Sequence, residues 1–327
     1  MNDGRSIDLT VATLEGEAAQ QIAPSREEIE PPPVSVAGGY YGRPYLKPPV
    51  WIWSIPTYFF VGGIAGSAMT MGWAAQMFGG REFRRFEQHC RWVGALGGCV
   101  GTALLIHDLG RKERFLFMLR VFRPTSAMSV GSWVLATATP LSAGSALLAR
   151  ADRPLRQLGD TAGAAAGLLG MPLAAYTAVL LANTAVPLWR ESRRSLPLLF
   201  AASSMASMAS LFELMSLSNR EQAVVRRFGT IGRAGELAAS LQLEREAGPA
   251  VKPLRQGAPG TLWNAASVLT ASSLVVSLLP GKGRKKRILS GVLGLLGSAC
   301  VRFAVFHAGK ASARAASPEP ELPRFPE

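Results

Sequence analysis

Among the residues that can do chemistry, the cysteines and histidines are few. Cys90, Cys99 and Cys300 form no Cys-x-x-Cys pair. That spacing excludes a zinc site, an iron–sulfur cluster and a c-type haem, so no metal is read from the chain. His89 and His107 are 18 residues apart, about 27 Å along one helix at 1.5 Å per residue, and cannot share an iron. Pairing either with His307 is conceivable only between helices, and no haem is read here.

The densest polar cluster beside an apolar stretch is His107-Asp108-Leu109-Gly110-Arg111, followed by Lys112, Glu113 and Arg114. Gly110 is a natural helix stop, so the cluster marks a helix end. An imidazole and a carboxylate there can exchange protons, with Arg111 favouring the charged carboxylate; a structural ion pair holding a loop is the plainer reading. Glu213 and Arg302 are lone charges in apolar surroundings, where an ionisable group faces a bundle interior with a partner. They can pair with each other, or Glu213 can serve a proton path. Arg233 and Glu236, three apart, form a second candidate pair. Tyr176 and Asn183, seven apart, share one helix face, as a polar wall or as interhelical hydrogen bonds.

These groups are set in a chain that is both basic and apolar. Of 327 residues, 35 are Lys or Arg and 22 Asp or Glu, a net charge of +13, with a mean hydropathy of +0.19. Only 17% of residues are charged, against about 25% in ordinary soluble domains, which argues against a nucleic-acid binder. The charges are excluded from blocks: Pro48–Gly80, Trp92–His107, Pro124–Ala149, Thr161–Trp189, Ser195–Phe212, Gln256–Gly281 and Ile288–Val301 contain none. A bilayer core needs about 20 mainly apolar residues per helix. The pattern predicts an all-α, polytopic transmembrane bundle of seven to eight helices, with spans near 51–78, 90–108, 128–149, 161–183, 196–218, 260–280 and 287–307.

The eighth element is Phe228–Leu243, which carries Arg233 and Glu236. It is either an interfacial amphipathic helix or a membrane helix whose ion pair faces the bundle. Gly94–Gly98, Gly97–Gly101 and Gly163–Gly167 are small-xxx-small pairs that let helices approach closely in lipid, and Pro56, Pro140 and Pro172 are expected as tolerated kinks. Residues 1–39 and 311–327, polar and proline-rich, read as disordered tails around a membrane domain at 40–310. Lys and Arg are nearly balanced between alternate loops, so the positive-inside rule does not choose an orientation; the basic run 281–287 is assigned to the cytoplasmic side.

Four segments, in order, carry a resemblance. Trp51-Ile-Trp-Ser-Ile-Pro-Thr-Tyr-Phe-Phe-Val-Gly-Gly-Ile-Ala-Gly66 resembles the first helix of the NrfD/polysulfide reductase membrane-subunit family. Asp108-Leu-Gly110 with Arg114-Phe115 is similar to its DLGRPxRF loop, with Lys112 where proline is common. Arg120-Val-Phe-Arg-Pro-Thr-Ser-Ala-Met-Ser-Val-Gly-Ser-Trp133 resembles the loop entering the third helix, and Met171-Pro-Leu-Ala-Ala-Tyr-Thr-Ala-Val-Leu180 the fourth helix. The likeness spans roughly residues 40–310.

The resemblance implies a multi-pass subunit of the bacterial inner membrane, part of a respiratory oxidoreductase complex, that binds quinone or quinol (menaquinone or ubiquinone). It further implies electron exchange with a four-cluster ferredoxin-like subunit and, through it, a molybdopterin-type catalytic subunit, with no haem or cluster in this chain. By motif position the quinone candidates are Tyr176, His107, Asp108, Trp53, Ser54 and Thr57; no histidine occurs in the first span, where family members place quinone ligands. Proton-path candidates are Asp108, Glu213 and Glu236. Arg111, Arg114, Arg120 and Arg123 are candidates for docking an acidic partner, or alternatively for contact with anionic membrane lipid. Two other functions compete: an anchor without quinone chemistry, and a secondary transporter, which the absence of paired broken helices disfavours.

Overall fold

The computed structural model describes residue 46 and residues 49–110, 112–281 and 283–316. Eight long helices dominate the described residues: α1 Ser54–Phe78, α2 Arg84–Asp108, α3 Ala127–Leu148, α4 Arg153–Ala182, α5 Ser195–Leu214, α6 Asn219–Glu246, α7 Gly257–Leu278 and α8 Arg284–Ala315. α2 (with the turn before it), α4, α5, α7 and α8 are long and apolar enough to cross a membrane. The seven charge-free blocks therefore mark seven of the helices, with ends shifted by a few residues. α8 runs to Ala315, past the boundary at 311 where the sequence suggests a tail; the stretches 1–39 and 317–327 lie outside the described residues.

The eighth element is a full helix, and it starts earlier than expected. Ser218 and Glu221 form a capping box: the Ser218 hydroxyl accepts from the Glu221 amide, while the Glu221 carboxylate accepts from the Ser218 amide. This satisfies two orphan donors at the helix start. It also splits the expected 196–218 span, so that α5 stops at Leu214. Arg233 and Glu236 are 0% and 1% exposed, so α6 turns its charged face inward. An interfacial helix would present that face to headgroups and water.

Successive helices run antiparallel and fall into two groups, α1–α4 and α5–α8, joined where α5 packs on α1 and α4 and α8 packs on α1. One end of the bundle gathers the start of α1, the end of α2 and the end of α8; the other gathers the 79–83, 149–152, 215–218 and 279–283 connections. Close approach follows from small residues. A Cβ on Gly66 of α1 would lie 2.6 Å from the Gly170 carbonyl oxygen of α4, so these backbones touch, as packing in lipid favours. The overlapping glycines of α2 divide between neighbours, Gly97 facing Ala65 of α1 and Gly98 facing Thr139 of α3. Pro56 falls in the first turn of α1, where its missing N–H has no intrahelical partner to lose. Pro140 and Pro172 lie within the continuous helices α3 and α4.

Candidate functional site

α2 ends at Asp108, and Leu109 leaves in extended conformation. The Asp108 carboxylate reaches across to α1, where Oδ1 accepts from the Ile52 amide at 3.2 Å and from the Ser54 hydroxyl at 3.1 Å. No side chain of the α1 N-cap residue caps the helix. A carboxylate from another helix thus sits at the positive end of α1, which favours an anion, tied to the chain just before the helix and to its first side chain. Ser54 is wholly buried, Asp108 half-buried and His107 exposed. The His107 ring lies 5.7 Å from that of Trp53, itself 58% exposed.

Tyr58 is one turn beyond Ser54, on the same face of α1. Its hydroxyl hydrogen-bonds that of Tyr176 on α4. Both rings are held by glycines. The Tyr58 ring passes within 3.1 Å of where a Cβ on Gly101 of α2 would sit, and a Cβ on Gly131 of α3 would overlap the Tyr176 ring. Gly131 belongs to the Ser-Val-Gly-Ser-Trp segment, so that motif is the seat of the tyrosine. Two hydroxyls carry two protons and share one bond, leaving one proton to donate to a third oxygen.

The far end of α8 closes the group. Lys310 Nζ donates to the Trp51 carbonyl at 3.1 Å and sits 5.6 Å over the Phe306 ring, while Trp51 stacks on Trp189. Beside α2 and α3 lies a cavity of about 390 Å³ walled by apolar atoms, among them Leu105, Ile106, Phe115, Leu119 and Leu135.

Four of the sequence candidates, Trp53, Ser54, His107 and Asp108, come together at this end, and Tyr176 joins them through Tyr58. Thr57 bonds the Trp53 carbonyl within its own helix at 2.8 Å. Asn183 lies just past the end of α4 and is exposed. Tyr58 and Lys310 were not singled out from sequence. The spacing Ser54–Tyr58 could have found the first; nothing local marks the second, which meets α1 from 259 residues away.

The other two acids lie in the second helix group. Neither expected pairing forms. Glu213 of α5 accepts from Arg233 of α6 in a bidentate pair at 3.0 and 2.7 Å, and the Ser210 hydroxyl accepts a further bond from the same guanidinium at 2.9 Å. Glu236 accepts from Thr270 of α7 at 2.6 Å and Ser298 of α8 at 2.9 Å. Arg302 donates to the Phe200 carbonyl at 2.8 Å and Ser204 at 2.9 Å, its guanidinium 3.8 Å above the Phe200 ring. Spacing of three permits an ion pair along one helix, but here Arg233 is taken by Glu213 of α5 and Glu236 by hydroxyls of α7 and α8. Of the docking candidates, Arg111 lies outside the described residues and Arg114 falls within the 3₁₀ turn Lys112–Leu119. Arg120 and Arg123 are exposed beside exposed Leu116, Phe117, Val121 and Phe122.

Residues 45–239 match the sequence profile of the family described as polysulphide reductase, NrfD. No curated protein matches the chain.

Proposed function

The chain belongs to the polysulphide reductase NrfD family, a family of helical membrane proteins, and from that premise we propose that it binds a quinone or quinol at the α1–α2–α4 end of the bundle. The observation that carries this reading is the convergence of Ser54, Tyr58, Asp108 and Tyr176 from three helices, with an apolar cavity between α2, α3 and the 112–119 turn at the same end. A quinone headgroup needs hydrogen-bond donors at its oxygens and an apolar slot for its tail; the tyrosine pair has a proton to donate, and the cavity at α2–α3 fits a prenyl chain.

A quinone, when bound, accepts two electrons and two protons. The chain's own residues would serve the protons. The Tyr58–Tyr176 pair donates toward a carbonyl oxygen within hydrogen-bond reach. Asp108 holds the start of α1 in register through Oδ1, so Ser54 and Tyr58 keep their positions, while Oδ2 stands outside both of those bonds. His107, exposed beside Trp53, can relay protons between this end and water. The buried row Glu213–Arg233 and Glu236 offers acid groups for proton transfer through the second helix group. The reading places the chain as the multi-pass subunit of a redox complex in the bacterial inner membrane. The exposed 112–123 segment, basic at Arg120 and Arg123 and apolar at Phe117 and Phe122, suits an iron–sulfur subunit of ferredoxin type. That subunit would connect to a molybdopterin-type catalytic subunit.

The test is turnover of the purified complex with a soluble quinol analogue. Tyr176→Phe is expected to lower turnover about 10²-fold, the low end of the effect of a positioned acid, and Asp108→Asn to lower it less. Unchanged turnover in both would remove the site. A parent complex that assembles normally and retains and reacts with no quinone would make the chain an anchor.

A further inference from the structure

The opposite end of the bundle carries a second cavity, of about 250 Å³, where α5 and α7 end and α6 and α8 begin. Its walls include Gln222, Arg226, Ser277, Lys286, Arg287 and Glu213. Glu213, the one carboxylate among the lining residues, is already neutralised by Arg233. Three cations therefore face a space with no anion to match them.

Two of these cations are held in place by backbone. Arg287 Nε donates to the Glu213 carbonyl at 3.0 Å, and Lys286 Nζ to the carbonyls of Leu279 and Gly281. They thereby serve the carbonyl-rich ends of α5 and α7, where positive charge is favoured. Arg226 is exposed, and its guanidinium has no hydrogen-bond or ion-pair partner among the described residues. Two of the helices lining the cavity carry exposed apolar side chains: Val275 and Leu278 on α7 and Leu289, Val292 and Leu296 on α8 are 40–63% exposed. Both helices are read as crossing the bilayer.

We propose that this cavity binds the phosphate of an anionic phospholipid, with Arg226, Lys286 and Arg287 around the headgroup and the acyl chains along the exposed strip of α7 and α8. The shared chemistry is a phosphate oxyanion, which guanidinium and ammonium groups bind by charge-assisted hydrogen bonds. What favours a lipid over a free ion is that the two helices lining the charged cavity are long and apolar enough to cross a membrane and carry these exposed apolar side chains. Basic pockets between membrane helices bind anionic headgroups on the same physical basis.

The full chain, delipidated in detergent, would be titrated by native mass spectrometry with phosphatidylglycerol, with phosphatidylcholine and with inorganic phosphate. Phosphatidylglycerol is expected to bind in preference to both. Arg226→Gln and Lys286→Gln should each weaken it roughly fivefold, while Arg226→Lys retains it. Arg220→Gln, on the same face but outside the cavity and paired with Glu82, should leave it unchanged. Equal binding of the two lipids by the unmodified chain would overturn the proposal, and that arm needs no variant to fold. Inorganic phosphate binding as well as phosphatidylglycerol, or loss in Arg220→Gln equal to that in Arg226→Gln, would overturn it too.

Discussion

The carboxylate of Asp108 at the end of α2 accepts from the buried hydroxyl of Ser54, the first residue of α1, 3.1 Å away. One side chain thus fixes both the entry of the first helix and the position of the first polar groups of the candidate site. Removing it acts on stability and function together. Asp108→Ala is expected to destabilise the protein by about 1 kcal/mol, the usual worth of a lost hydrogen bond, with Asp108→Asn milder because one oxygen remains. Thermal unfolding of the purified chain in detergent checks the order; equal stability of all three proteins would show that the contact does not hold the start of α1.

Gly131 tests the seat of Tyr176. A methyl group there would overlap the tyrosine ring, and overpacking in a closed core costs about 1–3 kcal/mol. Gly131→Ala should therefore lower the melting temperature and displace Tyr176 from Tyr58. Combining Gly131→Ala with Tyr176→Ala, which empties the ring's space, should recover part of the loss. Strictly additive effects in the double variant would mean the two residues do not touch.

The Glu213–Arg233 pair is buried on both sides. Breaking such a pair from one side costs about 3–5 kcal/mol, because a charge is left without its partner, whereas replacing both sides with apolar residues costs far less. Glu213→Gln and Arg233→Met are each expected to reduce folded yield sharply, and Glu213→Leu/Arg233→Met to recover much of it. Folded yield by fluorescence-detected size exclusion reports the result; a double variant worse than either single one would place their main partners elsewhere.

Glu236 separates structure from proton transfer. Its oxygens accept from Thr270 and Ser298, and Gln can keep one of those bonds as an acceptor while losing acidity. If Glu236 moves protons, Glu236→Gln should fold with little loss of stability yet slow quinone-linked proton uptake at least tenfold in reconstituted vesicles. Uptake at the parental rate would leave Glu236 a packing group.

Much of the architecture was readable from the chain, and the reason is physical. A bilayer tolerates few unpaired charges, so the charge-free blocks coincide with α1–α5, α7 and α8. The start of α6 was missed because Ser218 and Glu221 act through local backbone bonds that no hydrophobic pattern records. The site was partly readable: Ser54, Asp108 and Tyr176 lie in recognisable segments. The partners of the buried charges were not, because Glu213 meets Arg233, and Glu236 meets Thr270 and Ser298, only once α5–α8 pack. Lys310 is legible only in the fold for the same reason, reaching Trp51 from 259 residues along the chain.

The central claim is that the quinone site lies at the α1–α2–α4 end, around Tyr58, Tyr176 and Asp108. The most direct measurement is photolabelling of the complex with an azido-quinone, followed by mass spectrometric mapping of the labelled peptides and competition by unlabelled quinone. Competable labelling is expected in the peptides that contain Ser54–Tyr58, the Leu105–Leu119 region and Tyr176. Labelling confined to α5–α8, or unaffected by excess quinone, would contradict it.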